Sequence, residues 1–318
     1  MSYTQPNTEF LPSQRGPSGT RQATRPIVVG VDGTPASQLA LHWAVNEARL
    51  RGLPVRIVLA TDQPTTYQTY TPPLTSETFV VEGPPQTKRA IEDFDRAMAY
   101  ARDRLPAGTL SGVHTPGRAT SVLLDEARDA AMVVVGSRGR STAASALLGS
   151  VSATVAAHAP CPAVVVRGPG GLAGTARPIV VGVDGSEDAY HALAYAFTEA
   201  AKRRRPLTVL HCRESGAGEL SFAGVLPGLS SSLLAHRERH PSVQVKTRLM
   251  VGDPAELLPE QTRGADLVIV GSRGRGRLAG LLLGSVSQSL LHRAYCTVIV
   301  MHGDRLPEGE VIDGEGRP

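Results

Sequence analysis

The feature that most constrains the fold of this chain is an internal repeat. The segment RPIVVGVDGT at residues 25–34 returns almost unchanged as RPIVVGVDGS at residues 177–186. Further along, VVVGSRGRSTAASALLGSVS at 133–152 returns as VIVGSRGRGRLAGLLLGSVS at 268–287. Self-similarity over most of a chain indicates one structural unit written twice. The repeat therefore predicts two domains, at residues 25–167 and 177–303, which also suits a length of 318 residues.

Three segments fall outside the repeat. Residues 1–24 are polar and rich in Thr, Ser, Gln and Pro, which predicts a disordered tail without a signal sequence. Residues 168–176, GPGGLAGTA, have the composition of a flexible linker. Residues 304–318 are expected to form a second polar tail.

Each copy alternates short apolar runs with helical patterns. In the first copy, strands are expected at 27–32, 55–60, 110–115, 131–136 and 163–167, and helices after Thr34 and at 86–105, 118–130 and 143–158. In the second, strands are expected near 179–184, 207–212, 243–250, 266–271 and 297–301, and helices near 187–204, 230–239, 254–263 and 281–293. Such alternation predicts an α/β fold: two tandem open-sheet domains, each a five-stranded parallel sheet with helices on both faces.

Two glycine-rich stretches carry the strongest chemical signal. Each follows the fourth predicted strand with the spacing G-x2-G-x9-G-S, filled by Gly136, Gly139, Gly149 and Ser150, and again by Gly271, Gly274, Gly284 and Ser285. Glycine-rich loops and helix N-termini present backbone N–H groups that bind phosphate oxygens, and Ser hydroxyls and Arg charges can add to them. A glycine pair after a strand is also common in tight turns, so these pairs alone leave both readings open. Neither stretch is a P-loop, because no Gly-Lys-Ser/Thr occurs.

This spacing resembles the ATP-binding signature of the universal stress protein family. The segments VVGVDGT and VVGVDGS resemble that family's opening strand, and VGDPAELL at 251–258 resembles its third-strand turn. The resemblance implies Rossmann-like domains of the adenine nucleotide α-hydrolase-like type and ATP binding in some members. It also implies that the two domains pair through their last strands, 163–167 and 297–301, as an internal pseudo-dimer. A further homodimer is left open.

Carried over residue by residue, the resemblance implies one ATP site in each domain, with Mg²⁺ as an optional companion of the nucleotide. Asp32 and Asp184 would meet the ribose hydroxyls, although an Asp before Gly is also a common turn residue. The adenosine pockets would be lined by Gly30, Val31, Gly182 and Val183. The phosphates would be held by Gly136, Ser137, Arg138, Gly139, Arg140, Gly149, Ser150, Val151 and Ser152 in the first domain, and by Gly271, Ser272, Arg273, Gly274, Arg275, Gly284, Ser285, Val286 and Ser287 in the second.

The two copies differ at positions that should approach the adenine. Arg118 and Ala119 of the first copy stand where the second copy has Asp253 and Pro254. The second predicted strand ends in Ala60-Thr61 in the first copy, and the sequence alignment places His211-Cys212 of the second copy at these positions. We expect two pockets of different affinity, which the sequence does not rank. His211 is interpreted as a pocket wall or a core residue.

Composition argues against several classes of protein. The net charge is +4, the arginines are scattered, and the one dense basic run, KRRR at 202–205, suits a helix C-terminus. Three cysteines are too few for a disulfide framework, no His, Cys and carboxylate set has metal spacing, and no apolar run is long enough to span a bilayer. We therefore expect a soluble, cytoplasmic, bacterial protein without a nucleic-acid or membrane partner.

The function that the sequence favours is nucleotide-dependent regulation or sensing in a stress response. No catalytic residue is assigned, because no obvious general base or magnesium-binding carboxylate cluster lies near the predicted phosphate loops. Two alternatives stay open: a slow ATP hydrolase, and a nucleotide-free scaffold that acts through protein partners. The stress signal and the protein partner are not identified.

Overall fold

The structure is a computed structural model that describes residues 24–61, 68–70, 79–81, 85–138, 148–168, 177–213, 227–274 and 283–303. The first domain contains strands β1 (Ile27–Gly30), β2 (Val55–Thr61), β3 (Gln68–Tyr70), β4 (Phe79–Val81), β5 (Leu110–Pro116), β6 (Met132–Gly136) and β7 (Ala163–Val166). Its helices are α1 (Pro35–Arg51), α2 (Pro85–Arg102), α3 (Ala119–Glu126) and α4 (Ser150–His158). The second domain contains β8 (Ile179–Gly182), β9 (Leu207–Arg213), β10 (Val245–Val251), β11 (Leu267–Gly271) and β12 (Thr297–Met301). Its helices are α5 (Glu187–Arg203), α6 (Pro227–Arg239), α7 (Pro254–Gln261) and α8 (Ser285–Arg293).

The helix that follows the first strand of each domain starts as its sequence predicts. The Thr34 hydroxyl accepts a hydrogen bond from the backbone N–H of Ser37, and Pro35 occupies the first helical position of α1. Ser186 caps α5 in the same way, through the N–H of Ala189. In each domain the cap fixes the direction in which the chain leaves the first strand. It thereby fixes the position of the aspartate two residues before the cap, Asp32 or Asp184.

The structure contains a strand pair and two helix starts that the sequence analysis did not predict. The short antiparallel pair β3–β4 has no counterpart in the sequence analysis, which assigned no element there. The helices predicted over 143–158 and 281–293 begin at Ser150 and Ser285 within the described residues, because Gly149 and Gly284 adopt extended backbone conformations as N-caps. Residues 143–147 and 281–282 of those predictions lie outside the described part of the chain.

The main strands form one ten-stranded sheet with the order β10-β9-β8-β11-β12-β7-β6-β1-β2-β5. Within each domain the strands are parallel. The strand order reverses between β1 and β6, and between β8 and β11, which creates the switch points where open α/β sheets bind ligands. The predicted α/β fold with helices on both faces of the sheet is confirmed.

The two domains join edge to edge. Strands β7 and β12 pair antiparallel, with Val164 opposite Ile299, as the family resemblance implied. The two apolar layers, one on each face of the sheet, both contain side chains from the two domains. The sheet and its two cores are therefore continuous across the domain boundary.

A buried cluster of four charges also joins the domains. Helix α1 provides Glu47 and Arg51, and helix α5 provides Glu199 and Arg203 at the equivalent positions of the repeat. Each arginine pairs with the glutamate one turn before it and with the glutamate of the other domain. Burial alone would raise the pKa of Glu199, but the two arginines outweigh it and hold that pKa below its ordinary value. Removing one member would leave a buried charge uncompensated.

A second pair of equivalent residues crosses the seam between β7 and β12. Arg167, just after β7, donates hydrogen bonds to the carbonyls of Leu291 and His292 at the end of α8. His302, just after β12, donates from Nε2 to the carbonyl of Ala156 in α4, at 2.8 Å. Each domain therefore contacts the C-terminal part of the other domain's last helix, whose N-terminus belongs to the glycine signature.

Candidate functional site

The two sequence motifs of each domain meet at the switch point of its sheet. Strands β1 and β6 are parallel neighbours, with Val29 opposite Val134, so Asp32 and the loop after Gly136 emerge at the same edge. Strands β8 and β11 repeat this arrangement with Val181 opposite Ile269. The sequence separates the motifs by about a hundred residues, and the parallel register brings them together.

The aspartates of the opening motifs are held by the helix caps that follow them. Asp32 Oδ1 accepts hydrogen bonds from the backbone N–H of Thr34, at 3.0 Å, and from its hydroxyl, at 2.6 Å. Asp184 Oδ1 makes the same two contacts with Ser186, at 2.9 and 2.6 Å. This is the turn role that the sequence analysis left open, and it fixes one carboxylate oxygen. Both turn contacts are made to Oδ1, and a carboxylate has two oxygens, each of which can accept hydrogen bonds.

The first glycine of each signature packs against the protein itself. A Cβ on Gly136 would lie 2.5 Å from the carbonyl oxygen of Ala36, in the first turn of α1. A Cβ on Gly271 would lie 2.6 Å from the Cβ of Asp188, in the first turn of α5. These glycines let the strand approach the helix closely, so their presence has a structural reason independent of any ligand.

Two later glycines of the second signature differ from each other in the space around them. A Cβ on Gly284 would lie 3.6 Å or more from its nearest neighbours, which is ordinary contact, so the fold leaves room for a Cβ there. A Cβ on Gly274 would lie 2.5 Å from Oδ2 of Asp184. The glycine loop of the second domain therefore lies next to the aspartate of the opening motif.

The first turns of α4 and α8 contain backbone donors that have no acceptor within their own helix. The first helical hydrogen bonds run from Ala153 to the carbonyl of Gly149, and from Gln288 to that of Gly284. The N–H groups of the three preceding residues have no acceptor inside their helices: Ser150, Val151 and Ser152 in α4, and Ser285, Val286 and Ser287 in α8. Glycine N-caps have no side chain with which to cover these donors, and such N-termini suit anionic oxygens.

Two serines do not offer the hydroxyl donors that the sequence suggested. Ser152 donates its hydroxyl hydrogen to the carbonyl of Gly136 at 2.5 Å, and Ser287 donates to Gly271 at 2.7 Å. Both side chains are buried. These bonds fasten each helix start to the end of the preceding strand, so both hydroxyl hydrogens are engaged within the protein.

The glycine loop of the second domain is tied to helix α5. Asp188 Oδ2 accepts hydrogen bonds from the hydroxyl of Ser272, at 2.7 Å, and from the backbone N–H of Arg273, at 3.1 Å. In the first domain the equivalent residue is Ala36, which has no carboxylate. The sequence analysis missed this residue, although the repeat itself places an aspartate opposite an alanine in the first turn of the two helices.

The strand register corrects one alignment. Gly30 lies opposite Val58, and Gly182 lies opposite Leu210. Leu59 is therefore the equivalent of His211, and Ala60 that of Cys212, one residue away from the alignment made on sequence. His211 is buried, and its Nδ1 lies 2.8 Å from the carbonyl oxygen of Val183, so it is a core residue behind the opening motif.

The other difference between the copies reflects helix capping. Asp253 caps α7 by accepting a hydrogen bond from the N–H of Ala255 at 2.9 Å, and Pro254 follows at the first helical position. Arg118 precedes α3 without a side-chain cap. The preceding glycines, Gly117 and Gly252, both have φ above +130°, which favours glycine over other residues.

Some predicted site residues lie outside the described part of the chain. These are Gly139, Arg140 and Arg275. The structure does describe Arg138 and Arg273, which follow Ser137 and Ser272.

A backbone hydrogen bond holds each glycine loop to the helix that follows it. The N–H of Gly149 donates to the carbonyl of Ser137 at 2.9 Å, and the N–H of Gly284 donates to the carbonyl of Ser272 at 2.8 Å. Loop and helix start are therefore joined by a backbone hydrogen bond in both domains.

Two cysteines of the second domain have raised pKa values. Burial and the charge of Asp253 raise the pKa of Cys212 to about 11. Burial and the charge of Asp266 raise the pKa of Cys296 to about 12, against the opposing influence of Arg167. Within the described residues, no group of three or more His, Cys, Asp or Glu side chains could hold a metal ion, and no helix is long and apolar enough to cross a membrane.

The sheet order, the switch-point motifs and the helix positions define a tandem α/β protein of the Rossmann-like class. The chain belongs to the universal stress protein family, whose model, "Universal stress protein family", matches residues 23–167 and 175–302. It is similar to universal stress protein Rv2623 of Mycobacterium tuberculosis, with 34% identity over 86% of this chain and 95% of the relative. It is also similar to universal stress protein Mb2019 of Mycobacterium bovis, with 31% identity over 92% of this chain and 98% of the relative. In fold it resembles the crystal structure of a universal stress protein from Archaeoglobus fulgidus, with a TM-score of 0.64 and 18% identity over 88% of this chain and 97% of that one.

Proposed function

We propose that each domain binds one ATP and that occupancy of these sites regulates the protein in a stress response. The observation that carries the proposal is the pair of glycine-capped N-termini, on α4 and α8, each with three backbone N–H groups unbonded within its helix. Each follows the switch-point strand beside the strand from which the aspartate of the opening motif emerges. Family membership supports the proposal, and three free cysteines suit a protein that acts in the cytoplasm.

The proposed roles follow the donor and acceptor chemistry of the residues. Backbone N–H groups at 150–152 and 285–287 would hold phosphate oxygens. Asp32 and Asp184 would accept hydrogen bonds from ribose hydroxyls, since Oδ1 of each is already fixed by its capping residue. The glycine loops would close over the phosphates, with Arg138 and Arg273 adding positive charge. A bound Mg²⁺ would be held by the phosphates and would neutralise part of their charge.

The most informative experiment is mass spectrometry of the denatured, freshly purified protein, which identifies any nucleotide that copurifies. On nucleotide-free protein, ATP and Mg²⁺ at about 100 times Kd should stabilise the fold by about 2.7 kcal/mol. That corresponds to a rise in melting temperature of roughly 5–10 °C for domains of this size. Absence of both a copurified nucleotide and a thermal shift would overturn the proposal and favour the scaffold.

The matched control is the double variant Gly149→Glu/Gly284→Glu. Each substitution adds bulk and negative charge at a helix N-terminus, so the thermal shift should disappear while the circular dichroism spectrum is retained. Phosphate release measured on the same pair of proteins tests the ATP hydrolase. Release at equal rates from both would assign the activity to a contaminant, and release by the wild type alone would favour the enzyme.

A further inference from the structure

Arg167 and His302, which we call the seam residues, make equivalent contacts across the boundary between the two domains. Arg167 follows β7 and His302 follows β12, at the same position of the repeat. Their acceptors are equivalent as well, because Leu291 of α8 stands where α4 has Ala156. Each contact therefore runs from the end of one domain's last strand to the last helix of the other domain.

The seam residues close the ends of these two helices. The last backbone carbonyls of a helix receive no hydrogen bond from within it. Arg167 donates to the carbonyls of Leu291 and His292, and His302 donates to that of Ala156 at 2.8 Å. A cation such as Arg167 is also favoured by the negative end of the helix dipole. Capping alone would explain these contacts, so a role in ligand binding requires a connection to the glycine loops.

The backbone provides that connection one residue before each seam residue. The N–H of Ser137, in the first glycine loop, donates to the carbonyl of Val166 at 3.0 Å. The N–H of Ser272, in the second glycine loop, donates to the carbonyl of Met301 at 2.9 Å. Val166 and Met301 immediately precede the seam residues. In both domains the glycine loop is therefore tied to the strand end that carries the seam residue.

The same loops are tied to the helices that carry the proposed phosphate donors. Ser137 and Ser272 accept the hydrogen bonds from Gly149 and Gly284, the N-caps of α4 and α8. In each domain, hydrogen bonds thus run from the helix start through the loop and the strand end to the last helix of the other domain. That helix has only nine residues, or about 13 Å, so its seam contact lies close to its own phosphate donors.

Charged groups of the second nucleotide site act on His302. Burial has the largest effect on the pKa of His302 and lowers it. The hydrogen bond to Ala156 and the charge of Asp188 raise that pKa, and the charges of Arg273 and His158 lower it. Asp188 holds the backbone N–H of Arg273 in the second glycine loop, and His158 ends α4. His302 therefore lies within electrostatic reach of its own glycine loop and of the helix that it contacts.

Arg167 has the equivalent surroundings in the first domain. Burial lowers the pKa of Arg167 most, Arg138 of the first glycine loop lowers it further, and Cys296 of the second domain raises it. Arg167 therefore lies within electrostatic reach of its own glycine loop while it contacts α8 of the other domain. The two copies keep this arrangement although one uses a guanidinium and the other an imidazole.

We propose that the seam residues couple the two nucleotide sites, so that ATP bound in one domain strengthens the binding of ATP in the other. This inference rests on the proposed ATP function. Coupling between distant sites is carried by contiguous hydrogen bonds and packed elements. A ligand that orders one glycine loop also orders the attached strand end and, through the seam residue, the last helix of the other domain. The second ligand then loses less conformational freedom on binding, which is positive cooperativity.

The test is hydrogen–deuterium exchange, measured by mass spectrometry, in Gly284→Glu, where ATP should bind in the first domain alone. ATP and Mg²⁺ should slow amide exchange in α4, which belongs to the occupied site. They should also slow exchange in α8, which has no ligand of its own, by about fivefold, a value at the low end of coupling factors between linked sites.

The test variant adds Arg167→Met/His302→Leu, which removes both donors and keeps apolar bulk. ATP should still slow exchange in α4, whereas the ratio of α8 exchange rates without and with ATP should fall to about one. Arg167→Lys/His302→Gln retains a donor at each position and should keep the fivefold ratio. The matched control, Arg102→Met at an exposed arginine that ends α2, should keep it as well.

The ratio separates coupling from capping. Loss of a helix cap alone would speed exchange in α8 equally with and without ATP, so the ratio would not change. Circular dichroism shows whether the test variant is folded. Where the double substitution does not fold, Arg167→Met and His302→Leu are measured singly, and each should lower the ratio.

An unchanged ratio in the folded test variant would overturn the proposal. Slower exchange in α4 without slower exchange in α8 of Gly284→Glu would also overturn it, and the ATP function would stand. If ATP slows exchange in neither helix, the ATP function fails and the coupling fails with it.

Discussion

The two domains carry the same glycine signature in two electrostatic settings. In the second domain, Asp188 accepts hydrogen bonds from Ser272 and Arg273, so two donors of the glycine loop are engaged and a negative charge lies beside them. In the first domain, Ala36 provides no such charge. Two like unit charges 4–8 Å apart repel by roughly 2–4 kcal/mol at the effective dielectric near a protein surface, before screening by salt. We therefore expect the first domain to bind ATP more tightly than the second.

The largest expected effect separates the two sites. Gly149→Glu should weaken ATP binding in the first domain more than a hundredfold, because bulk and negative charge are added beside the three N–H groups that have no acceptor within α4. Gly284→Glu should do the same in the second domain. Isothermal titration calorimetry should find one remaining site in each variant, the weaker one in Gly149→Glu. Two unchanged sites in either variant would show that the helix N-terminus is not where the phosphates bind.

The next effect separates glycines that the fold needs from glycines that a ligand needs. Gly271→Ala should destabilise the protein by roughly 1–3 kcal/mol, since its Cβ would overlap the first turn of α5. Gly284→Ala meets ordinary contact distances, so its unfolding midpoint in urea should stay close to that of the wild type while ATP affinity in the second domain falls. Equal midpoints for the two variants would contradict this distinction.

A reciprocal exchange tests the role of Asp188. Asp188→Ala should raise the affinity of the second site for ATP about tenfold, because one like charge is removed from beside the phosphates. Ala36→Asp should lower the affinity of the first site by a similar factor. Calorimetry on both variants decides the matter, and a fall in affinity with Asp188→Ala would mean that ordering of the loop outweighs the charge.

The smallest effect concerns pH and the second domain. The ring of His236 stacks on Phe197, with centroids 5.2 Å apart, and burial, Arg239 and His240 lower its pKa to about 4. The unfolded chain has a histidine pKa of about 6.5. At pH values between these two pKa values, the unfolded state binds more protons than the folded state. The contribution of His236 to the free energy of unfolding is therefore complete above pH 6.5 and is lost as the pH falls towards 4. His236→Phe should flatten this loss in urea titrations at pH 7 and 5, and the exposed His292→Gln should not.

The repeat explains how much of this molecule could be predicted from its sequence. The strand and helix order followed from periodicity and from caps such as Thr34 and Pro35, which act locally. The start of α4 at Ser150 was not predicted, because small apolar residues before it continue the helical pattern. In the structure the backbone of Gly149 is extended, so the helix begins only after it. The equivalence of His211 and Leu59 in the two copies depends on strand register, which neighbouring strands determine and a motif alignment does not.

Contacts between distant segments were the least predictable part of the site. The hydrogen bonds of Asp188 join the first turn of α5 to a loop more than eighty residues away. The run at 202–205 was interpreted as a favourable helix end, yet Arg203 is also part of the buried charge cluster between the domains. Side-chain partners of this kind are set by packing, which composition and spacing do not encode.

The central claim is that this chain has two ATP sites of unequal affinity, one in each domain. Calorimetric titration of ATP and Mg²⁺ into the nucleotide-free wild-type protein tests it most directly. We predict two binding events per chain, with the tighter one in the first domain. Two equal sites, or no binding at millimolar ATP, would contradict it.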